Sequence, residues 1–368
     1  MTGLRVLRPY HSAVVDEYRQ RDRLLRSRHG HDVHVVCPPA WPEGGHLARP
    51  SPDPDVPVHI VPARGPKHPN LFWYSVPTLR NVLRSLRPDI VDLHEEPYSL
   101  AAAGVLLAMR LEAPSAKLCV YSAQNLPKRY PPPFSAIEKH TLSVARAVYP
   151  CSTEAGDRLQ ARGFRGPIHV LPLGVTLPPS MPRGGGPIRV GFVGRLQPYK
   201  GGLIAVRAFA AAAADSSATL EIVGAGPEET AMRDVVVEHG VDDRVAFVGA
   251  LPQDQTLERM STYDIVLVPS LTTRTWKEQF GRVAVQAMAH GAVVVASDSG
   301  SLREVVDGCG VLVREGDVSS FADTLRDLTR DVTRLGELRE QAYRRAAQHF
   351  TWEAISDGVD AMYRGLVE

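Results

Sequence analysis

Arg195 and Lys200, five residues apart in GRLQPYKGG, and Glu278 in the loop EQFG are the side chains whose types and spacing suit work on a phosphorylated ligand. The two cations follow the apolar run IRVGFV and are framed by Gly194 and Gly201. In such a turn an arginine can clamp a diphosphate bidentately and a lysine can add a point charge, although a solvated pair of charges has the same spacing. Glu278, Gln279, Phe280 and Gly281 join a strand-like run, IVLV, to a helical segment, RVAVQAMA, so the loop meets a helix N-terminus. Free amides and the positive end of the helix dipole suit phosphate there, and a carboxylate accepts hydrogen bonds from hydroxyls. A sugar carried on a diphosphate satisfies both requirements. Gly224 and Gly226 in VGAGPEE read as a strand-end turn that permits close backbone approach to a ligand. Glu229 stands where a GxGxxG dinucleotide fingerprint needs glycine, which disfavours an NAD oxidoreductase.

The first half offers candidates at two further strand ends. DIVDLH leads into His94 and Glu95, and KLCVYSA leads into Gln124 and Asn125. These four are the acceptor-side candidates, with a packed structural histidine as the alternative for His94. Trp41, Tyr130 and Phe134 could serve as sugar platforms or as ordinary core aromatics. The Asp-any-Asp spacing of a metal site occurs at Asp53-Pro-Asp55, inside the proline-rich PSPDPDVP, where proline holds the backbone away from strand-end geometry. No metal is therefore expected. Cys37, Cys119, Cys151 and Cys309 are scattered, which argues for free thiols.

Strand-like and helix-like segments must position these residues, and they alternate along the whole chain. The first half reads LRVLRP, a helix over about 14–28, DVHVVC, VHIVPA, a helix in PTLRNVLRSLR, DIVDLH, a helix in AAAGVLLAMRLE, KLCVYSA, a helix from about Phe134, AVYPCS, and a helix capped by Ser152 or Thr153. TLPPSMPRGGGP, over 176–187, breaks the alternation and predicts an interdomain linker. The second half repeats the pattern and ends in helices. The fold class is α/β, with doubly wound parallel sheets.

The segment EQFGRVAVQAMAHGAVVVASDSGSLREVV resembles the donor-binding signature of the family 4 retaining glycosyltransferases. The resemblance is strong over about 187–316 and looser before that. It implies the GT-B fold, two Rossmann-like domains facing each other across a cleft. With the linker as boundary, residues 1–178 form the acceptor domain, 179–187 the linker and 188–350 the nucleotide-sugar domain, while the helix over 351–368 crosses back to the first domain. It also implies metal-independent, cofactor-free transfer of a hexose, with retention, from a nucleotide-sugar to a hydroxyl of a glycan, a lipid-linked intermediate or a small natural product. Carried over residue by residue, Glu278 binds hydroxyls of the donor sugar and the amides around Phe280 and Gly281 hold the phosphates. Arg195 and Lys200 stabilise charge on the departing nucleoside diphosphate, and the Gly224–Gly226 turn lies beside the nucleotide. Two positions depart from the family pattern. Gln286 stands where the family has the glutamate that binds ribose, and Gln124 stands where many members have a histidine near the sugar. No carboxylate stands out as a nucleophile, which fits a same-face reaction in which the leaving phosphate takes the acceptor proton. A nucleotide-sugar epimerase and a non-catalytic nucleotide-sugar-binding protein are the other readings.

At 368 residues the chain suits two domains, and with 44% hydrophobic and 23% charged residues it has the composition of a globular protein. It has no run of eighteen apolar residues, and its N-terminus, LRVLRPYHS, has no apolar leader pattern, so a cytoplasmic location is expected. Residues 1–180 carry 22 basic against 15 acidic side chains and the remainder 20 against 26. Arg19, Arg21, Arg23, Arg26 and Arg28 cluster in the first helix, either as a basic face for anionic lipid head groups at the inner membrane surface or as a solvated face. A nucleic-acid partner is not expected.

Overall fold

The structure, a computed structural model, describes residues 3–43, 46–181, 186–213 and 216–368. It contains two compact units, one formed by Met1–Gly174 with Trp352–Glu368 and the other by Val175–Thr351. Residues 182–185, the middle of the expected linker, lie outside the described residues.

Unit 1 is built on β1 (Arg5–Pro9), β2 (Asp32–Cys37), β3 (Val58–Ile60), β4 (Ile90–Leu93), β5 (Lys117–Ser122) and β6 (Ala147–Pro150). Their order across the sheet is β3-β2-β1-β4-β5-β6, with every pairing parallel. Helices α1 (Gln20–Ser27), α2 (Val76–Leu86), α3 (Leu100–Glu112), α4 (Phe134–Val144) and α5 (Thr153–Ala161) form the connections. Strands covered on both faces need nearly continuous apolar runs, and the residues of β4 and β6 are buried throughout. Ser152 caps α5, its hydroxyl accepting from the amide of Ala155.

The first helix is shorter than the sequence predicts. Two 3-10 turns, His11–Val14 and Asp16–Arg19, precede α1 because Val15 takes an extended conformation (φ −87°, ψ 128°) that interrupts helical hydrogen bonding. The arginine cluster is also more constrained than a basic face. Arg19 and Arg21 are buried, and all five arginines pair with carboxylates of this unit. Arg19 and Arg23 meet Asp16 and Asp53, Arg21 meets Asp92, Arg26 meets Asp32, and Arg28 meets Asp357. Asp53 is thus committed to guanidinium groups.

Unit 2 repeats the plan with β7 (Arg189–Val193), β8 (Thr219–Val223), β9 (Val245–Gly249), β10 (Ile265–Val268), β11 (Val293–Ser297) and β12 (Val311–Val313). The order is β9-β8-β7-β10-β11-β12, again wholly parallel. Its helices are α6 (Gly202–Ala213), α7 (Glu229–Glu238), α8 (Gln253–Met260), α9 (Arg282–Ala289), α10 (Leu302–Val306), α11 (Val318–Arg330) and α12 (Val332–His349). The core joins Val190, Phe192, Ile222, Leu267 and Val295 of the sheet to Phe209 and Phe321 of the helices.

The chain then returns to unit 1 as α13 (Trp352–Val367). Ile355, Val359, Met362 and Tyr363 pack with Val6, Leu25, Ile90 and Tyr149 in a core cluster of their own. The Tyr363 hydroxyl donates to Asp92 at 2.5 Å, beside the Arg21 guanidinium and the Tyr149 hydroxyl on the same carboxylate. Among the described residues no helix is long and apolar enough to cross a membrane.

Candidate active site

Each unit has the doubly wound order in which the chain reverses direction between the first and fourth strands, and the carboxyl ends of those two strands leave a crevice. In unit 2 the two strands are β7 and β10. The turn after β7 carries Arg195 and Lys200, and the loop after β10 carries Ser270 and Glu278 before entering α9. A cavity of about 100 Å³ opens there, lined by Lys200, Ser270, Glu278, Gly281 and Arg282 among others. Lys200 Nζ lies 2.8 Å from Glu278 Oε2, and the Ser270 hydroxyl donates to the same oxygen at 2.9 Å. Lys200 Nζ also sits 4.7 Å from the centre of the Trp276 ring, a cation–π distance. The side chains of Lys200 and Glu278 are only 22% and 11% exposed, so this is a partly desolvated ion pair.

Gly281 caps α9 with φ +75°, a left-handed conformation that glycine adopts without strain. A Cβ at that position would come within 2.7 Å of Leu302 Cδ2. The arrangement turns the chain sharply, and Gly281, Arg282 and Val283 at the start of α9 line the cavity beside Glu278. The main-chain carbonyl of Glu278 accepts from the amide of Ser301, which fixes the loop from the far side.

Lys200, Glu278 and Gly281 are therefore brought together around one cavity. Arg195 is exposed, with its guanidinium 5.9 Å from the Tyr199 ring, and Gln279 is exposed as well. Phe280 is buried against Phe350, and Gln286 is buried in α9. A Cβ on Gly224 would collide with the carbonyl of Gly194, and one on Gly226 with the carbonyl of Leu196. The glycines let this turn press against the Gly194–Leu196 loop, and Leu196 donates its amide to Ala225 at 3.0 Å. Glycine is required at both positions by the neighbouring chain.

In unit 1 the corresponding strand ends are those of β1 and β4. His94 is not an accessible strand-end group: it is 4% exposed, stacks on Tyr121 at 3.9 Å and shares a 3.0 Å hydrogen bond with the Tyr149 hydroxyl. Burial, with Arg8, Arg21 and His11 nearby, pushes its pKa well below the ordinary imidazole value. Glu95 is buried too, and its partners are His11 and Tyr74. Gln124 donates to the Tyr130 hydroxyl at 3.0 Å, and Tyr130 stacks on Tyr98 at 4.0 Å. Asn125 donates to Glu154 at 3.2 Å. Trp41 is packed between His11 and Phe72, a core position. Among the described residues no group of three His, Cys, Asp or Glu side chains is arranged to hold a metal ion.

Sequence reasoning passed over Ser270 and His11. Each is a single polar residue just past a strand, a position visible in the sequence but without a second residue at a telling distance to mark it.

Residues 23–177 match the family described as Glycosyltransferase Family 4, and residues 187–331 match Glycosyl transferases group 1. The chain belongs to this glycosyltransferase family. Among similar members, a 2-deoxystreptamine glucosyltransferase of Streptomyces kanamyceticus is 37% identical over 164 residues, 44% of this chain and 41% of the relative. A D-inositol 3-phosphate glycosyltransferase of Rhodococcus erythropolis is 35% identical over 190 residues, 49% of this chain and 41% of the relative. The chain thus spans about two fifths of the length of those two relatives. A 2-deoxystreptamine N-acetyl-D-glucosaminyltransferase of Streptomyces fradiae is 28% identical, with 73% of this chain and 72% of the relative covered. In solved structures the fold recurs in Anabaena HepE, crystallised with UDP (TM-score 0.74, 18% identity, all of both chains covered). It recurs also in sucrose-phosphate synthase of Thermosynechococcus elongatus (TM-score 0.74, 20% identity, 98% of both chains covered). Both units are Rossmann-like, as in the GT-B class.

Proposed function

We propose that this chain transfers a hexose from a nucleoside-diphosphate sugar bound by unit 2 to a hydroxyl of an acceptor bound by unit 1, with retention and without a metal. The observation that carries the donor half is the meeting of Lys200, Ser270 and Glu278 beside the N-terminus of α9 at the unit 2 switch point. In this reading the α9 amides and the Lys200 ammonium hold the diphosphate. Glu278 accepts from hydroxyls of the sugar, and Arg195 turns inward when the phosphates arrive. Charge that grows on the leaving diphosphate is then met by groups already in place, the most effective form of electrostatic catalysis. Gln286 accepts a ribose hydroxyl through its amide carbonyl, a weaker contact than a carboxylate would give.

The acceptor we favour is a small cyclitol, because the relatives at 37% and 35% identity are named for 2-deoxystreptamine and D-inositol 3-phosphate, both polyhydroxylated carbocycles. A cytoplasmic location fits a nucleotide-sugar donor. A membrane contact through Arg19–Arg28 has less support, since those arginines are matched by carboxylates.

The test is a thermal-shift panel of UDP-, GDP-, ADP- and dTDP-sugars with and without EDTA, followed by transfer assays on both cyclitols. A donor present at a hundred times its Kd raises stability by about 2.7 kcal/mol, a readable shift. One donor should stabilise the wild type, transfer should proceed in EDTA, and NMR of the product should show the donor's anomeric configuration. A product of opposite configuration overturns retention, and loss of activity in EDTA overturns metal independence. Binding without turnover of any donor would favour the non-catalytic reading that Gln286 suggests.

A further inference from the structure

The loop from β10 to α9, residues 269–281, is long for a connection of this kind, where about two to six residues are usual. It folds back on itself and is pinned. Leu271 donates its amide to the Tyr199 carbonyl at 2.8 Å, and Thr272 donates its amide and its hydroxyl, the latter at 2.9 Å, to the Glu315 carboxylate. Between these points and Glu278 lies a small turn in which Thr273 donates its amide to the Trp276 carbonyl at 2.8 Å and its hydroxyl accepts from the Trp276 amide at 2.9 Å. The turn lays the half-buried Trp276 on Tyr199, with ring centres 4.4 Å apart and planes inclined by 35°. Each ring also carries a cation. Lys200 Nζ is 4.7 Å from the centre of Trp276, and the Arg195 guanidinium is 5.9 Å from that of Tyr199. Both cations assigned to the diphosphate therefore lean on one aromatic pair. Lys200 lines the donor cavity, and Trp276 is not among the described residues that do, so the ring stands behind the ammonium and away from the ligand.

We propose that Trp276 is a positioning residue for diphosphate binding: its ring face holds the Lys200 ammonium at the cavity while that ammonium exchanges the Glu278 carboxylate for phosphate. Tyr199 backs the ring. This rests on the donor reading above and adds what keeps the cation in place when its ion pair opens. An ammonium in a partly desolvated site that gives up a carboxylate needs another partner, and the quadrupole of an indole face supplies one. The face bears no net charge, so the whole charge of Lys200 stays available to the phosphates. Part of the rotamer freedom of a long lysine is also given up before the ligand arrives, which lowers the cost of binding. Trp276 itself touches no atom of the donor in this arrangement, and its effect is confined to the phosphate half of the ligand.

The experiment titrates UDP, GDP, ADP and dTDP, and the glucose conjugate of each, into wild type, Trp276→Phe, Trp276→Leu and a protein with tetrafluorotryptophan at position 276. Thermal melts without ligand check that each is folded. The fluorinated ring keeps the shape of indole and loses its negative face. Trp276→Leu should weaken a nucleoside diphosphate and its glucose conjugate by the same factor, about five- to thirtyfold, the range of a partly desolvated cation–π contact. The fluorinated protein should lose as much, while Trp276→Phe, which keeps a ring face, should stay within about threefold of wild type. Should Trp276→Leu not fold, the fluorinated protein decides. Wild-type affinity in the fluorinated protein, or equal losses in the phenylalanine and leucine variants, would overturn the role of the ring face and leave the donor reading intact. A loss confined to the glucose conjugates would overturn it as well, by making Trp276 a contact of the sugar. If no nucleotide bound the folded wild type, the donor reading and this role would fall together.

Discussion

Lys200 and Glu278 occupy each other before any ligand does. For a nucleotide-sugar to bind as proposed the pair must open, the ammonium turning to phosphate and the carboxylate to sugar hydroxyls, so the two halves of the donor are recognised by groups that compete with each other. Removing Glu278 should therefore separate the halves. In Glu278→Ala the released Lys200 is available to a nucleoside diphosphate, whose affinity should hold or rise, while affinity for the intact nucleotide-sugar falls. Titration calorimetry should show the ratio of the two affinities moving at least tenfold, about 1.4 kcal/mol. Equal loss of both would place Glu278 among structural supports of the loop. Lys200 and Glu278 could be found from sequence because each sits in a turn whose neighbours also suit phosphate. Ser270 could not, because a serine after a strand has many ordinary uses and only the folded loop brings it to the Glu278 carboxylate.

The elements were the most legible level, since alternating apolar runs and helical periods with caps such as Ser152 leave little freedom in a parallel sheet. The break at Val15 was hidden because a continuous helix and two 3-10 turns share the same composition. His94 shows a different limit: its position after β4 was readable, but only packing reveals that Tyr121 and Tyr149 cover it. A histidine kept neutral by burial binds a proton less readily folded than unfolded, so stability falls as pH drops below the ordinary imidazole value of about 6.5 and is fully present above it. The free energy of unfolding in urea should decrease from pH 7 to pH 5. His94→Asn, though less stable at pH 7, should show a shallower decrease by up to one proton, about 1.4 kcal/mol per pH unit. An unchanged slope would mean that His94 binds its proton as readily in the folded protein as in the unfolded chain.

At the scale of the whole molecule, unit 1 is discontinuous in sequence: its sheet is complete by residue 150, yet α13 reaches it only after all of unit 2. The family resemblance implied a last helix that crosses back with Trp352 and Tyr363 as its anchors; what no local pattern records is the partner of Tyr363, Asp92, 271 residues away in sequence. Asp92 makes the dependence electrostatic as well as apolar, since its buried carboxylate is met by Arg21, Tyr149 and Tyr363 and a buried charge that loses a partner is costly. Tyr363→Phe removes one hydroxyl from that carboxylate and keeps the ring, so it should destabilise unit 1 by about 1–3 kcal/mol. Unit 2 has a separate core and none of these contacts, so donor binding should persist in the same variant. Calorimetry reads both at once: the donor should raise the transition of unit 2 in the variant as in the wild type, while the transition of unit 1 moves down. Were Tyr363→Phe to abolish the donor shift, the two units would be energetically coupled through α13, and the donor site could no longer be described as the property of one unit.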